Sequence, residues 1–290
     1  MTMTSTNTGT DPPINPNITH EPWNSGRILV LGMTYPHYSG TYTENACTGG
    51  ILEQTGRLVR VHPLPQRYLA YDSRPKTFQW MRVRYRKHDS DPRPESLRID
   101  PSSITCEDLV TSTDTEERRG WLVRCPGLMR SVEEVRRVWS RQRTSLAIIQ
   151  PAEIISVNFE RRSEAERQAW RAKEKQLLAQ ERITSIIGHV KPIDFPETRF
   201  MVKWRCDDPE CNTHEMGVED WGIHELWRKL AGDPERECKV LDSFASRLDL
   251  AKREVFFYLG NFRDTLWNFG LMGMCSLQRK PKKSQLLLAL

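Results

Sequence analysis

The chain has 290 residues, of which 38% are hydrophobic and 28% are charged, and its formal net charge is +5. This length suits one large domain or two small ones, and the composition is typical of a folded protein with an extensively charged surface. The sequence has no apolar run of 18 residues and no secretory signal pattern. We therefore expect no membrane association, reduced cysteines and a cytoplasmic location.

Hydrophobic periodicity and turn residues predict many short strands and a few helices. A Thr-, Asn- and Pro-rich leader at 1–26 is expected to be disordered, and the residues after it alternate apolar and polar side chains. A capping-box pattern, Ser131 followed by Glu134, marks the start of a helix. The predicted elements of the first half are strands at 27–33, 47–52, 57–65 and 78–86, a helix at 131–143, and strands at 145–151 and 153–160.

The second half repeats this pattern. Its predicted elements are a helix at 163–181, a strand at 198–206, a helix at 220–232, and strands at 253–262 and 269–277. Two sets of short strands with few helices predict a mainly β (α+β) protein built from two small β-barrels. We assign these barrels to 27–150 and 151–278, and the remaining residues, 279–290, form a basic-to-apolar tail.

Four groups of residues come in an order found in a bacterial protein family. They are TENACTGGI with GRLVRVHPLPQRYL, FQWMRVRY with DPRPESLRID, the Cys–Cys–His segment before DW and ELWRKL, and FFYLGNF with FGLMGM. Over roughly 27–275 the chain resembles the bacterial dual-OB-domain proteins. The resemblance implies two OB-like barrels, a fold that binds oligonucleotides on a curved sheet face. It also implies a gene neighbourhood linked to defence or mobile elements, and it carries over no catalytic residue.

Basic charge is concentrated in one stretch of the first half. Between Arg57 and Arg98, eleven Lys or Arg residues stand against four Asp or Glu residues, a net of +7. Basic side chains interleaved with aromatic rings are typical of single-strand binding, in which bases stack on the rings. The alternative is a half-buried strand with one solvated side. The predicted nucleic-acid-binding residues, for DNA or RNA, are Arg57, Arg60, Arg67, Trp80, Arg82, Arg84 and Arg86.

Two cysteines and a histidine lie within nine residues of one another, at Cys206, Cys211 and His214. A structural Zn²⁺ needs four ligands in a tetrahedral array, and this segment supplies three at a suitable spacing. The alternative is a pair of reduced thiols where a strand turns into a helix. Candidates for a fourth ligand are Asp220, His224 and Cys238.

The sequence thus predicts a non-enzymatic nucleic-acid-binding protein, an accessory or sensor subunit in a bacterial defence or mobile-element system. One alternative is an adaptor that docks a partner enzyme in a multi-subunit system. Another is a metal-dependent nuclease, because carboxylates and imidazoles hold the metal ions that assist phosphodiester cleavage. The residues available for that chemistry are His62, Asp72, His88, Asp91 and Glu95.

Overall fold

The computed structural model describes residues 22–39, 43–179, 191–262 and 265–279. Most of the predicted leader and all but the first residue of the predicted tail lie outside these ranges. The strands are β1 (Asn24–Met33), β2 (His37–Ser39), β3 (Thr43–Asn45), β4 (Thr48–Leu52), β5 (Leu58–His62), β6 (Gln79–Lys87), β7 (Ser96–Ile99), β8 (Thr105–Leu109), β9 (Leu128–Met129), β10 (Leu146–Ile149), β11 (Pro151–Arg161), β12 (Thr198–Cys206), β13 (His214–Val218), β14 (Arg253–Phe262) and β15 (Thr265–Gln278).

The helices are α1 (Thr115–Arg124), α2 (Val132–Gln142), α3 (Glu164–Leu178), α4 (Trp221–Lys229) and α5 (Arg236–Arg247). Two of these helices begin at a capping serine. Ser131 caps α2 and Ser163 caps α3, and each hydroxyl accepts a hydrogen bond from the backbone N–H of the residue three positions later. Among the described helices, none combines the length and apolarity needed to cross a membrane.

The first half folds into a closed five-stranded barrel. The strand order around the ring is β1, β4, β5, β7, β6, and β6 pairs back with β1 to close it. β5 and β7 run parallel, whereas the other neighbours in the ring are antiparallel. This arrangement is OB-like. The short sheet of β2 and β3 lies in the connection between β1 and β4, and β8 pairs with β6 outside the ring. The prediction of a mainly β fold with a few helices is confirmed.

The barrel begins earlier than the sequence predicts. Residues 24–26 pair with residues 85–83 of β6, and Gly26 is buried. The last three residues assigned to the disordered leader therefore belong to β1. Their polar composition conceals this, because Asn24 and Ser25 lie at an exposed strand end and show no apolar alternation.

The second half forms a seven-stranded sheet in the order β11, β12, β13, β15, β14, β10, β9. Most neighbours are antiparallel, but β9 runs parallel to β10 and β13 meets β15 in parallel at Val218 and Leu271. Because β9 and β10 belong to this sheet, the two halves separate between β8 and β9 rather than at the predicted boundary of 150. β10 pairs with β14, more than a hundred residues later in the chain, and no local pattern reports such a pairing.

The two halves pack against each other through a common hydrophobic cluster. It includes Leu29 and Trp80 from the barrel and Ile148, Phe256 and Met272 from the second sheet. Strands β1 and β15 also cross closely, since a Cβ added to Gly32 would lie 3.0 Å from the carbonyl oxygen of Met272. Because this core is shared, we expect the two halves to unfold cooperatively.

Candidate functional site

The Cys–His segment forms the end of a β-hairpin. β12 ends at Cys206, the chain turns through 207–213, and β13 begins at His214. The turn folds back on itself because the Cys211 N–H donates to the Asp208 carbonyl oxygen at 3.0 Å and Thr213 adopts a positive φ of 78°. These features bring two thiols and one imidazole to the same end of the hairpin.

The imidazole of His214 contacts both thiols. Its Nε2 lies 3.2 Å from Cys206 Sγ and 3.3 Å from Cys211 Sγ. The backbone N–H of Cys206 also donates to Cys211 Sγ at 3.2 Å. All three side chains are buried. The structure therefore brings together the three predicted metal ligands.

A fourth ligand group comes from the first turn of α2. Glu133 Oε1 lies 3.5 Å from His214 Nε2, and the four potential ligand atoms of Glu133, Cys206, Cys211 and His214 all lie within 4.8 Å of one another. The second carboxylate oxygen, Glu133 Oε2, is buried and has no hydrogen-bond partner in the described parts of the chain. A buried carboxylate oxygen without a donor is costly, and a bound cation would satisfy it.

The start of α2 is fixed against the hairpin by several contacts. The Ser131 hydroxyl accepts a hydrogen bond from the Glu134 N–H at 3.1 Å, and the Val132 N–H donates to Cys206 Sγ at 3.3 Å. Arg130 Nε donates to the Asp207 carbonyl oxygen at 2.6 Å. The helix and the hairpin are therefore joined at the cluster even though they are distant in sequence.

The spacing of the cluster suits a tetrahedral ion. Bonds of about 2.3 Å to sulfur and about 2.0–2.2 Å to nitrogen or oxygen place tetrahedral ligand atoms roughly 3.3–3.8 Å apart. The three measured separations from His214 Nε2, which are 3.2, 3.3 and 3.5 Å, are close to this range. Burial raises the pKa of the Cys206 thiol to about 12 and lowers the pKa of His214. Without a cation this thiol stays protonated, so it is a poor nucleophile.

None of the predicted fourth ligands joins the cluster. Asp220 caps α4, because its Oδ1 accepts from the Ile223 N–H at 3.3 Å. His224 lies within α4, with its ring 5.0 Å from that of Tyr35, and Cys238 is exposed on α5. The capping box predicts where α2 begins, but no spacing in the sequence relates Glu133 to a hairpin so far along the chain.

The predicted nucleic-acid surface is divided between the core and the exterior. Trp80 is only 4% exposed and makes an edge contact with Trp121 of α1, with ring centroids 5.0 Å apart. The guanidinium carbon of Arg27 lies 4.6 Å from the Trp80 ring centroid. Trp80 is therefore a core residue and is not available to stack a base, because α1 and Arg27 cover this part of β6.

Three of the predicted arginines are also withdrawn from the exterior. Arg60 is 2% exposed and contacts the second sheet. Arg67 forms an ion pair with the buried carboxylate of Glu44. Arg86 is buried within 3.3 Å of Asp89. These side chains are turned toward protein groups and do not form an exposed surface for a nucleic acid, which corrects their assignment to such a surface.

Arg57, Arg82 and Arg84 remain exposed, and an aromatic ring lies next to one of them, Arg84. Trp23 is 41% exposed, and its ring centroid lies 6.0 Å from the guanidinium carbon of Arg84 and 5.0 Å from that of Arg86. The sequence prediction missed Trp23 because it falls in the segment assigned to the leader.

The five residues of the nuclease alternative do not form one group. Asp72 lies in the exposed 3₁₀ turn Tyr71–Ser73, and Glu95 accepts hydrogen bonds from Ser145. The other three, His62, His88 and Asp91, line one cavity between the barrel and the second sheet.

Comparison with known protein families gives two adjacent matches. Residues 24–124 match a Domain of unknown function (DUF8758), and residues 129–288 match a Domain of unknown function (DUF8757). The matches separate between α1 and β9, as the two sheets do. No curated protein matches the chain. Since the second match covers more than half of its residues, the chain belongs to the family of the Domain of unknown function (DUF8757).

Proposed function

We propose that this protein is a non-enzymatic nucleic-acid-binding protein whose second domain holds a structural Zn²⁺ ion. The observation that carries the binding proposal is the exposed Trp23 ring beside Arg84, with the exposed Arg82 two residues earlier on β6, on the outside of an OB-like barrel. An exposed aromatic ring beside arginines supplies the two interactions of single-strand binding, which are base stacking and phosphate contact.

Each of the two arginines pairs with a carboxylate that a phosphate group can displace. Arg82 Nε lies 2.5 Å from Glu107, Arg84 pairs with Asp100, and both guanidinium groups are about half exposed. Exposed ion pairs contribute only about 0–1 kcal/mol, so little is lost when a phosphate displaces a carboxylate. Release of counterions from the nucleic acid then favours binding.

A salt titration with a labelled single-stranded oligonucleotide tests the proposal. Affinity should fall with salt, and the double variant Arg82→Ala/Arg84→Ala should flatten the slope by about 1.4, two phosphate contacts at about 0.7 each. The matched control is Arg137→Ala/Arg161→Ala, which removes two exposed, ion-paired arginines of the second domain. The control should keep the slope of the wild type.

Trp23 provides a second, non-electrostatic test. If a base stacks on it, Trp23→Ala should weaken binding by roughly 1–3 kcal/mol without a change in the salt slope. A wild type that binds no oligonucleotide, or affinities unchanged in both variants, would refute the proposal. That result would favour the alternative in which the barrel docks a protein partner.

The zinc proposal rests on the composition of the cluster. Thiolate and imidazole ligands favour Zn²⁺ over Mg²⁺ or Ca²⁺, and four protein ligands are typical of a structural site rather than a catalytic one. In this role the ion would tie the start of α2 to the end of the β12–β13 hairpin. Purified protein should contain about one equivalent of zinc by elemental analysis. Metal-free protein with an unchanged melting temperature after chelation would contradict the proposal.

A cellular context is proposed from the resemblance to dual-OB-domain proteins alone. We propose an accessory or sensor subunit of a bacterial defence or mobile-element system. Mass spectrometry and nucleic-acid sequencing of material that co-purifies with the tagged protein test this. Recovery of neither a defence enzyme nor nucleic acid would argue against it.

A further inference from the structure

A cavity of about 180 Å³ lies where the barrel faces the second sheet. Arg60 and His62 of β5 line it together with His88 and Arg93 from the connection between β6 and β7, and Asn261 of β14 lines it from the other side. It can hold several water molecules or one compact polyatomic ion. The cavity shares no residue with the proposed zinc site or with the proposed nucleic-acid contacts Trp23, Arg82 and Arg84.

Arg60 brings a buried positive charge to this cavity. Its guanidinium donates to Cys47 Sγ at 2.7 Å, to Met272 Sδ at 3.5 Å, and to the carbonyl oxygens of Ser145 and Asn261 at 3.3 Å each. These acceptors are sulfur atoms and backbone carbonyls, not carboxylates, and Arg60 Nε has no acceptor among the residues described. A guanidinium that is 2% exposed needs a counter-charge, which an anion in the cavity would supply.

No carboxylate at the cavity forms a hydrogen bond or ion pair with Arg60 in the described parts of the chain. Arg93 holds Asp91 in a bidentate pair, with Nε 2.9 Å from Oδ1 and Nη2 2.7 Å from Oδ2, so the two charges offset each other. Burial works to raise the pKa of Asp91, but hydrogen bonds from Arg93 and Ser96 hold it well below its usual range. Glu219 also lines the cavity, and burial raises its pKa. Neither carboxylate bonds to the Arg60 guanidinium in the described residues, where its acceptors are sulfur atoms and carbonyl oxygens.

Asn261 narrows the choice of anion. Its Nδ2 donates to the Leu266 carbonyl oxygen at 2.8 Å, which fixes the orientation of the amide, and its buried Oδ1 has no donor within the described ranges. The missing partner is a hydroxyl or N–H group. Free phosphate carries both negative charge and a hydroxyl at neutral pH, and a phosphate monoester carries a hydroxyl below its second pKa near 6. Sulfate and carboxylate ions carry none.

We infer that this cavity binds a phosphate group, either free phosphate or the terminal phosphate of a nucleotide. Arg60 supplies the compensating charge, and Asn261 accepts from the phosphate hydroxyl. The imidazoles of His62 and His88, whose ring centroids lie 5.6 Å apart, supply further polar contacts. The inference goes beyond the proposed binding surface, because a backbone phosphodiester has no hydroxyl to give to Asn261.

Calorimetric titration of the full chain with inorganic phosphate tests the inference, with chloride holding the ionic strength constant. We expect saturable binding of one phosphate per chain. Arg60→Met should weaken it tenfold or more, because a charge-assisted hydrogen bond is lost. His62→Gln, which keeps the side chain polar, should weaken binding several-fold and covers the case in which Arg60→Met does not fold. Arg161→Met, on the exposed part of β11, is the matched control.

Three results would overturn the inference: no saturable binding by the wild type, equal affinity in the folded variants, or sulfate binding as tight as phosphate. Competition then identifies the source of the group. If a 5′-phosphorylated dinucleotide displaces the bound phosphate and the unphosphorylated dinucleotide does not, the cavity binds a terminal phosphate. If neither dinucleotide displaces it, the ligand is the free ion. Because inorganic phosphate is the probe, this result is independent of the oligonucleotide titration.

Discussion

Replacing Glu133 by Gln removes the carboxylate of the proposed metal site and preserves the size of the side chain. A neutral amide oxygen is a much weaker ligand for Zn²⁺ than a carboxylate. Structural zinc sites bind with roughly 10–16 kcal/mol, and an equal share over four ligands is roughly 2.5–4 kcal/mol for each. We therefore expect Glu133→Gln to lower zinc affinity by about 10²- to 10³-fold.

The loss of zinc affinity should weaken the attachment of α2 to the second sheet and so lower the stability of the protein. At this end, α2 is held by the cluster and by contacts such as the Val132 N–H bond to Cys206 Sγ and the ion pair between Arg137 and Glu210. When zinc is limiting, Glu133→Gln should melt at a lower temperature than the wild type. Excess zinc should restore most of the difference by mass action.

Glu134→Gln is the matched control, because it changes the neighbouring residue of the same helical turn. Glu134 Oε2 accepts from the Arg130 N–H at 2.7 Å, and a glutamine oxygen can accept the same bond. Competition with a chromophoric chelator gives the zinc affinity, and thermal melts with and without added zinc give the stability. Equal affinities and equal melting temperatures for Glu133→Gln, Glu134→Gln and the wild type would refute Glu133 as a ligand.

Two other substitutions test the core and a buried charge. Trp80→Ala should lower the free energy of unfolding by about 3–5 kcal/mol in urea denaturation, because Trp80 is a buried aromatic, and a change below 1 kcal/mol would contradict a core position. Burial raises the pKa of Asp220 to about 6. The free energy of unfolding is therefore lowered by the ionisation of this buried carboxyl group, and the loss develops as the pH rises from about 4 to 6. Asp220→Asn keeps a helix cap and should raise stability by roughly 1–3 kcal/mol at pH 7 but not at pH 4, as thermal melts at both pH values would show.

Strands and helices with a regular local pattern are readily predicted. The strand predicted at 198–206 is β12, and the strand predicted at 253–262 is β14. Both alternate or concentrate apolar residues between clear turn signals, and their burial follows that pattern. Capping residues fix the starts of α2 and α3 for the same reason, since the hydrogen bond they make is local.

Burial along β6 could not be predicted from the strand period. Trp80, Arg82 and Arg84 share one face of the strand, as a period of two predicts, yet Trp80 is buried and both arginines are exposed. The difference arises because α1 covers one part of the strand and leaves the next part open. Glu133 presents the same difficulty, since its role depends on the contact between α2 and the β12–β13 hairpin. Period and spacing report the geometry of one element, whereas burial and ligation depend on the elements packed against it.

The net charge of a segment is a weak guide to the charge of the surface that it forms. The stretch from Arg57 to Arg98 carries a net of +7, yet the fold supplies carboxylates from outside it, as Glu107 does for Arg82 and Glu44 for Arg67. A carboxylate of this kind offsets the charge of its arginine, whether the arginine is partly buried, as Arg67 is, or exposed, as Arg82 is. Arg60 is buried beside sulfur atoms and carbonyls instead, and none of its hydrogen-bond acceptors in the described residues is a carboxylate. That difference distinguishes Arg60, from which we infer a bound anion in the cavity, from the arginines whose charge a bonded carboxylate offsets.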